Sequence, residues 1–436
     1  MPTTARLPVE LLAHITSYLG DDRTALRNLC ASSHALHAVS YPILFSVRDF
    51  RALGTPYLKP FLVYLSELRI GWKPDMHGAN DAKILARFLA PHLSAETTPR
   101  LRKLTIRGIG ADGMVYLNTL GDILKDCSML TTLHLNETYH RNMRDVQLLV
   151  DALPHLAHLH LNAMTWTSAE FNDYSDDNEF LARPALKTLR VSPVYPNCML
   201  PLLAWLARTP TACALHTLDV PSTARIGPDA LPHFGPSVHY LSVPLRGLQP
   251  LVTMKGYTAL TSLTLVLRID DILTRSYGRL PEVVATLPAP ALLRELEIHI
   301  PYEAATVITG PLDALACVDD ILFGAGPAET IAKFETTDDK TDTARTTQRF
   351  NALGKLRVVL LTSSPLSEAE RAETDWGARL HMPRAAALGR LEVRFGRDER
   401  YVLARHGARV SVSSGVGHGD APVGVKTERP ARGAQA

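Results

Sequence analysis

Leu130-Thr131-Thr132-Leu133-His134-Leu135 is followed 26 residues on by Leu156-Ala157-His158-Leu159-His160-Leu161. The last two leucines of each hexad are two apart. On a strand they point to one side, and the His between them points to the other. Working outward, the same apolar-x-x-apolar-x-apolar pattern starts at Leu65, Leu101, Leu186, Leu215, Val238, Leu260, Leu293, Leu353 and Leu388, with a poor copy at Val318. Spacings run from 22 residues (Val238 to Leu260) to 36 (Leu65 to Leu101). Repetition at that period is the mark of a strand-plus-helix solenoid.

The intervening segments carry helical signals. Met114, Leu117, Leu120 and Leu124 share one face, as do Met143, Val146 and Val150. Residues 81–93 and 197–208 also read as helices, and Ser367 with Glu370 forms a capping box. Longer interruptions lie at 166–183, which is acidic and aromatic, and at 333–349, rich in Thr and Asp. Pro288 and Pro290 punctuate another connection.

This pattern resembles a degenerate leucine-rich repeat. The family's turn-forming Asn is missing from its usual place in most copies, and Asn136 and Asn162 read as coming too early, just after their strands. The expected fold is α/β: a short helical unit, then parallel strands on one face of a solenoid and helices on the other. The expected divisions are 1–46, 47–407, and a Gly-, Ser- and Pro-rich disordered tail at 408–436.

The first fifty residues differ in kind. Pro8 suits a helix start and Glu10 complements the positive helix end. Leu11, Leu12, Ile15, Tyr18 and Leu19 then form one apolar stripe. Gly20-Asp21-Asp22 ends that helix, and either Asp can cap the next, which carries Leu26, Leu29 and Cys30. A third runs from Ser33 to Tyr41-Pro42, before Ile43-Leu44-Phe45. Helices this short need a partner surface, in the chain or outside it.

Leu7-Pro8-x-Glu10-Leu11-Leu12-x-x-Ile15, then Leu19, then Leu26-x-x-Leu29-Cys30 and Tyr41-Pro42-Ile43-Leu44-Phe45, resembles an F-box of the fungal type, without the Trp many members carry. The resemblance implies a substrate receptor of a Skp/cullin/F-box ubiquitin ligase. It implies that Leu7, Pro8, Glu10, Leu11, Leu12, Ile15 and Leu19 contact a Skp-type adaptor, with Leu26 and Leu29 in support. The alternative is a protein-binding repeat scaffold whose helices merely cap the array, tied to no ligase.

Solenoids bind through the open sheet face. The pattern places Lys103, His134, His158, His160, Arg190, Asp219, Tyr240, Glu295 and Glu297 there, with Asp320 and Leu322 from the poor copy. The face is mixed in sign with a Thr/Ser-rich middle, which suits a protein target. His134, His158 and His160 share two adjacent strands, but no carboxylate or Cys completes a zinc set in the pattern. Gly108-Ile109-Gly110-Ala111-Asp112-Gly113 matches a dinucleotide fingerprint, yet reads more simply as a Gly-rich turn in one repeat.

With 46 basic and 44 acidic residues the net charge is +2, which argues against nucleic acid or an anionic membrane as the main partner. The five cysteines, without a C-x-x-C, suit buried thiols in a reducing compartment. No run of about twenty apolar residues occurs. A non-enzymatic protein without cofactor or metal, cytoplasmic or nuclear, is expected.

Overall fold

A computed structural model describes residues 7–20, 22–49, 62–71, 93–94, 96–108, 124–125, 127, 129–140, 142–166, 184–192, 196–220, 232–245, 254–267, 275–302, 309–323, 350–362 and 366–397. The expected helices at 81–93 and 114–124, apart from Leu93 and Leu124, fall outside these residues, as do the 167–183 and 333–349 interruptions and the tail.

Three helices open the chain: α1 (Val9–Ser17), α2 (Arg23–Ser32) and α3 (His34–Ser46). Pro8 is the N-cap of α1, and its carbonyl accepts the Leu12 amide at 3.1 Å. Asp22 caps α2 by accepting from the Ala25 amide at 2.9 Å. Ser33 does the same for α3 through Leu36. The third helix does not stop at Tyr41-Pro42 but runs through Pro42 to Ser46. Packing outweighs the lost hydrogen bond: Leu44, beyond the proline, is buried, and the Tyr41 and Phe45 rings meet tilted, centroids 4.6 Å apart, on one side of the continued helix.

The strands are β1 (Val47–Asp49), β2 (Glu67–Gly71), β3 (Lys103–Arg107), β4 (Thr132–Asn136), β5 (Tyr139–His140), β6 (His158–Asn162), β7 (Thr165–Trp166), β8 (Thr188–Ser192), β9 (Thr217–Asp219), β10 (Tyr240–Pro244), β11 (Ser262–Val266), β12 (Glu295–Tyr302), β13 (Lys355–Thr362) and β14 (Leu391–Arg397). Among the described residues twelve of them form one parallel sheet, in chain order from β1 to β14; β5 and β7 pair separately. The fold is α/β, with an N-terminal helical unit and a leucine-rich-repeat-like solenoid.

The register explains the motif. Leu68, Leu104, Leu133, Leu159, Leu189, Leu218, Leu241, Leu263, Leu296, Leu356 and Leu391 lie side by side on successive strands. All but Leu391 have no solvent exposure. Burying one such side chain contributes about 1.5–3 kcal/mol, so this single row anchors the fold.

Two outward residues separate the first two apolar positions because the chain bends there. The Thr131 and Thr132 amides both donate to the Arg102 carbonyl at 2.9 Å. Those of Ala157 and His158 share the Thr131 carbonyl, and those of Lys187 and Thr188 share Ala157. Doubling two residues against one neighbour is a bulge-like step, and here it recurs from strand to strand.

Strand ends repeat as well. Gly108, Glu137 and Ala163 follow β3, β4 and β6 with φ of 74°, 53° and 51°. Their amides donate to the carbonyls of Asn136, Asn162 and Ser192 on the next strand. Gly108 thus belongs to a repeated turn; Ile109 to Gly113 lie outside the described residues. Asn136 and Asn162 are the last residues of their strands rather than the first of the turn.

Helices Met143–Asp151, Pro196–Ala207 and Glu368–His381 stand where the sequence places them, the last with its Ser367/Glu370 capping box. The poor copy at Val318 is not a strand. It lies in a helix, Thr309–Phe323, in which Leu315, Val318 and Leu322 are buried. Apolar residues three apart fit a helix face as well as the hexad, and Leu312, Leu315, Val318 and Leu322 extend the helical spacing. Asp319 is buried there and accepts the Arg384 and Ala385 amides at 3.0 and 2.9 Å. It caps the short helix Pro383–Ala387 from another element, since Met382 offers no capping side chain.

The five cysteines are free thiols, but only Cys127 and Cys198 are buried; Cys213 and Cys317 are exposed and Cys30 is intermediate. Each is one position on an amphipathic helix or turn, and its facing follows that element rather than its chemistry. Among the described residues no helix is long and apolar enough to cross a membrane.

Candidate functional site

Two surfaces carry the residues the sequence singles out. The first is α1. It packs on α3, and Thr16 is buried with its hydroxyl donating to the Leu12 carbonyl at 2.6 Å. That contact uses one side of the helix. On the other, Leu7, Leu11, Ile15 and Tyr18 are 56%, 48%, 53% and 77% exposed, and Val9 joins them. Leu12 and Leu19 are half-buried, and Pro8 and Glu10 are exposed. The apolar stripe therefore divides: Leu12 faces inward, while Leu7, Leu11 and Ile15 form an open apolar patch.

Among the described residues it is α3 that joins the array. Tyr41 meets Tyr64 edge-on at 6.0 Å. The Ser46 carbonyl accepts the Ser66 amide at 2.8 Å, just ahead of β2. Val47 continues directly into β1, which pairs with β2.

The second surface is the open face of the sheet. One row runs Arg69, Thr105, His134, His160, Arg190, Asp219, Ser242, Thr264, Glu297, Arg357 and Glu392 across paired strands. The row beside it runs Glu67, Lys103, Thr132, His158, Thr188, Thr217, Tyr240, Ser262, Glu295 and Lys355. Lys103, His134, His158, His160, Arg190, Asp219, Tyr240, Glu295 and Glu297 all stand on these two rows. Asp320 and Leu322 do not, because their segment is helical.

Charge on the face is largely paired within it. Glu67 bonds Arg69 at 2.7 Å and Lys103 at 3.4 Å. Arg190 approaches Asp219 at 3.9 Å. Glu297 joins His299 and Arg357, and Arg357 also reaches Glu392 at 3.2 Å. Burial raises the Glu297 carboxyl, but hydrogen bonds from His299 and Arg357 outweigh it and leave its pKa lowered. The Glu67–Lys103, Arg190–Asp219, Glu297–Arg357 and Arg357–Glu392 pairs tie neighbouring strands together.

The middle of the face is neutral. Ser242 and Thr264 are buried, and the Tyr240 hydroxyl lies 3.4 Å from Thr264 Oγ1. His134 and His160 stack at 4.1 Å between ring centroids. Burial, with Lys103 adding to it, lowers His134 to about 4; burial, His134 and Arg190 lower His160 to about 3. Both imidazoles are uncharged at neutral pH. Among the described residues no group of three or more His, Cys, Asp or Glu side chains converges as a metal ion needs.

Sequence reasoning missed the row just ahead of the strands, where Lys187, His216, His239 and Arg294 are exposed. The signal was present as the first x of each hexad, but a strict two-residue alternation assigns that position inward. The repeated bend turns it out.

No protein-family model matches the sequence, and no curated protein is similar to it. Among solved structures, the fold is similar to a chain in the crystal structure of the Rad7 and Elc1 complex in yeast. The two are 14% identical with a TM-score of 0.34, over 80% of this chain and 88% of that one. A likeness that loose carries no shared role.

Proposed function

We propose that this chain is a substrate receptor of a Skp/cullin/F-box type ubiquitin ligase: α1 holds the adaptor and the sheet face holds the target protein. The observation that carries this reading is the open Leu7/Leu11/Ile15 patch on a helix whose other side is already packed on α3. An N-terminal cap serving only the array would turn its apolar stripe onto the first strands, and here Tyr41 and Tyr64 make that junction instead. The F-box-like sequence gives the patch a partner class.

The mechanism asks no bond chemistry of this chain. Holding the target beside the catalytic partner raises the effective concentration of its lysines. The receptor reading makes the chain non-enzymatic and places it in the cytoplasm or nucleus, with the ligase.

The test is a pull-down of a Skp-type adaptor by the full chain and by Leu11→Asp. Leu11 is half exposed, so the variant is expected to fold and to lose the adaptor. No binding by the parent chain, or undiminished binding by the variant, would sink the adaptor role.

A further inference from the structure

The bend ahead of each strand creates a row that neither the hexad nor the F-box-like segment accounts for. From β3 onward it reads Arg102, Thr131, Ala157, Lys187, His216, His239, Thr261, Arg294, Gly354 and Gly389, and contains no acidic residue. Each residue's carbonyl, from Arg102 to Arg294, accepts two amides of the next strand, so the row is continuous along the sheet. The two face rows beside it, by contrast, mix acids with bases.

The outermost cation is engaged: Arg102 donates to the Pro99 and Met129 carbonyls at 3.3 and 3.5 Å. Lys187, His216, His239 and Arg294, in the middle of the row, are exposed. Lys187 and Arg294 make no ion pair among the described residues. The His216 and His239 rings sit 5.5 Å apart between them, and His239 Nδ1 is 3.0 Å from the Ala259 carbonyl. Beside them the face offers Thr188, Thr217, Tyr240 and Ser262, hydroxyls without a carboxylate. Asp219, one row further, turns to Arg190, and Glu295 stands at the far end beside Arg294.

We propose that this rim, from Lys187 to Arg294, docks an extended acidic segment of a partner protein. The proposal names a class of target for the sheet face and so rests on the target-binding half of the reading above; it needs nothing from the adaptor patch. Four strand-to-strand steps of about 4.8 Å make the rim about 19 Å long, the span of roughly six extended residues. Opposite charge aligns such a segment and speeds its encounter, while the hydroxyl row is placed to bond its backbone. Acidic protein suits the rim better than nucleic acid. Only Lys187 and Arg294 are fixed cations, too few to track a phosphate backbone, and among the described residues the rings at the rim are the two imidazoles and Tyr240.

Fluorescence anisotropy with the full chain and a labelled peptide of alternating Asp and Glu tests this. Saturable binding that weakens as added salt shortens the Debye length below about 10 Å is expected. Lys187→Glu with Arg294→Glu is expected to weaken it by about tenfold or more, and the milder Lys187→Gln with Arg294→Gln to weaken it less. Arg27→Glu, an exposed reversal on α2, should leave it unchanged. Absence of saturable binding, equal binding by the Lys187/Arg294 variants, or tighter binding of a single-stranded oligonucleotide of equal charge would overturn the proposal. A chain that binds the peptide but no Skp-type adaptor would end the ligase reading and leave this one standing.

Discussion

His134 and His160 stack on adjacent strands, ring centroids 4.1 Å apart and planes 14° from parallel. Burial and the nearby Lys103 and Arg190 cations keep both neutral, with pKa values lowered to about 4 and about 3. The pair should therefore pick up no proton as pH falls from 8 to 5. An NMR titration of the two imidazoles checks this; a midpoint above pH 5 in either would contradict the stacked, half-buried arrangement.

His140 is fully buried in β5, with Nε2 3.1 Å from Thr138 Oγ1 and Nδ1 unpartnered. Burial lowers its pKa from 6.5 to about 4. The unfolded chain binds the proton more readily, so this residue's contribution is fully present above pH 6.5 and is lost as pH falls toward 4. The loss amounts to roughly 3 kcal/mol. Replacing His140 with Gln is expected to flatten urea-unfolding stability across pH 6.5 to 4 relative to the parent.

Asp319 holds the start of helix Pro383–Ala387 through two backbone amides. Asp319→Ala removes a charged acceptor and strands the buried Ala385 amide along with the part-buried Arg384 amide. A loss of about 2–3 kcal/mol is expected by chemical denaturation. Asp320→Ala breaks only the exposed ion pair to Arg384 and should cost under about 1 kcal/mol.

Gly235 and Gly256, in the turns leading into β10 and β11, approach so closely that a Cβ on Gly235 would lie 2.9 Å from the Gly256 Cα. The obstacle is backbone and cannot rotate away. Gly235→Ala should destabilise by about 2 kcal/mol or more, whereas Gly278→Ala, with open space around it, should fall within about 1 kcal/mol of the parent. Thermal unfolding of the two variants distinguishes them.

The solenoid was readable because its signal is local and repeated. A leucine every other residue, once per repeat, fixes which side of each strand is buried, and eleven of the twelve hexads became strands in register. Val318 failed because a spacing of three serves helix and hexad alike; only the packing of Leu315 and Leu322 chose. β1 was invisible as a strand, being three residues long and held by pairing with β2.

By itself, then, the sequence determined the α/β array, the row of buried leucines, the residues of the open face and the apolar stripe of α1. Those follow from periodicity, which a chain carries wherever it folds. Tertiary structure alone decided which half of the stripe stays open, because among the described residues it is α3 that reaches Tyr64. It alone turned Lys187, His216, His239 and Arg294 outward, through two amides sharing one carbonyl on the neighbouring strand. Both outcomes depend on what lies beside a residue in space, and spacing along the chain does not encode that.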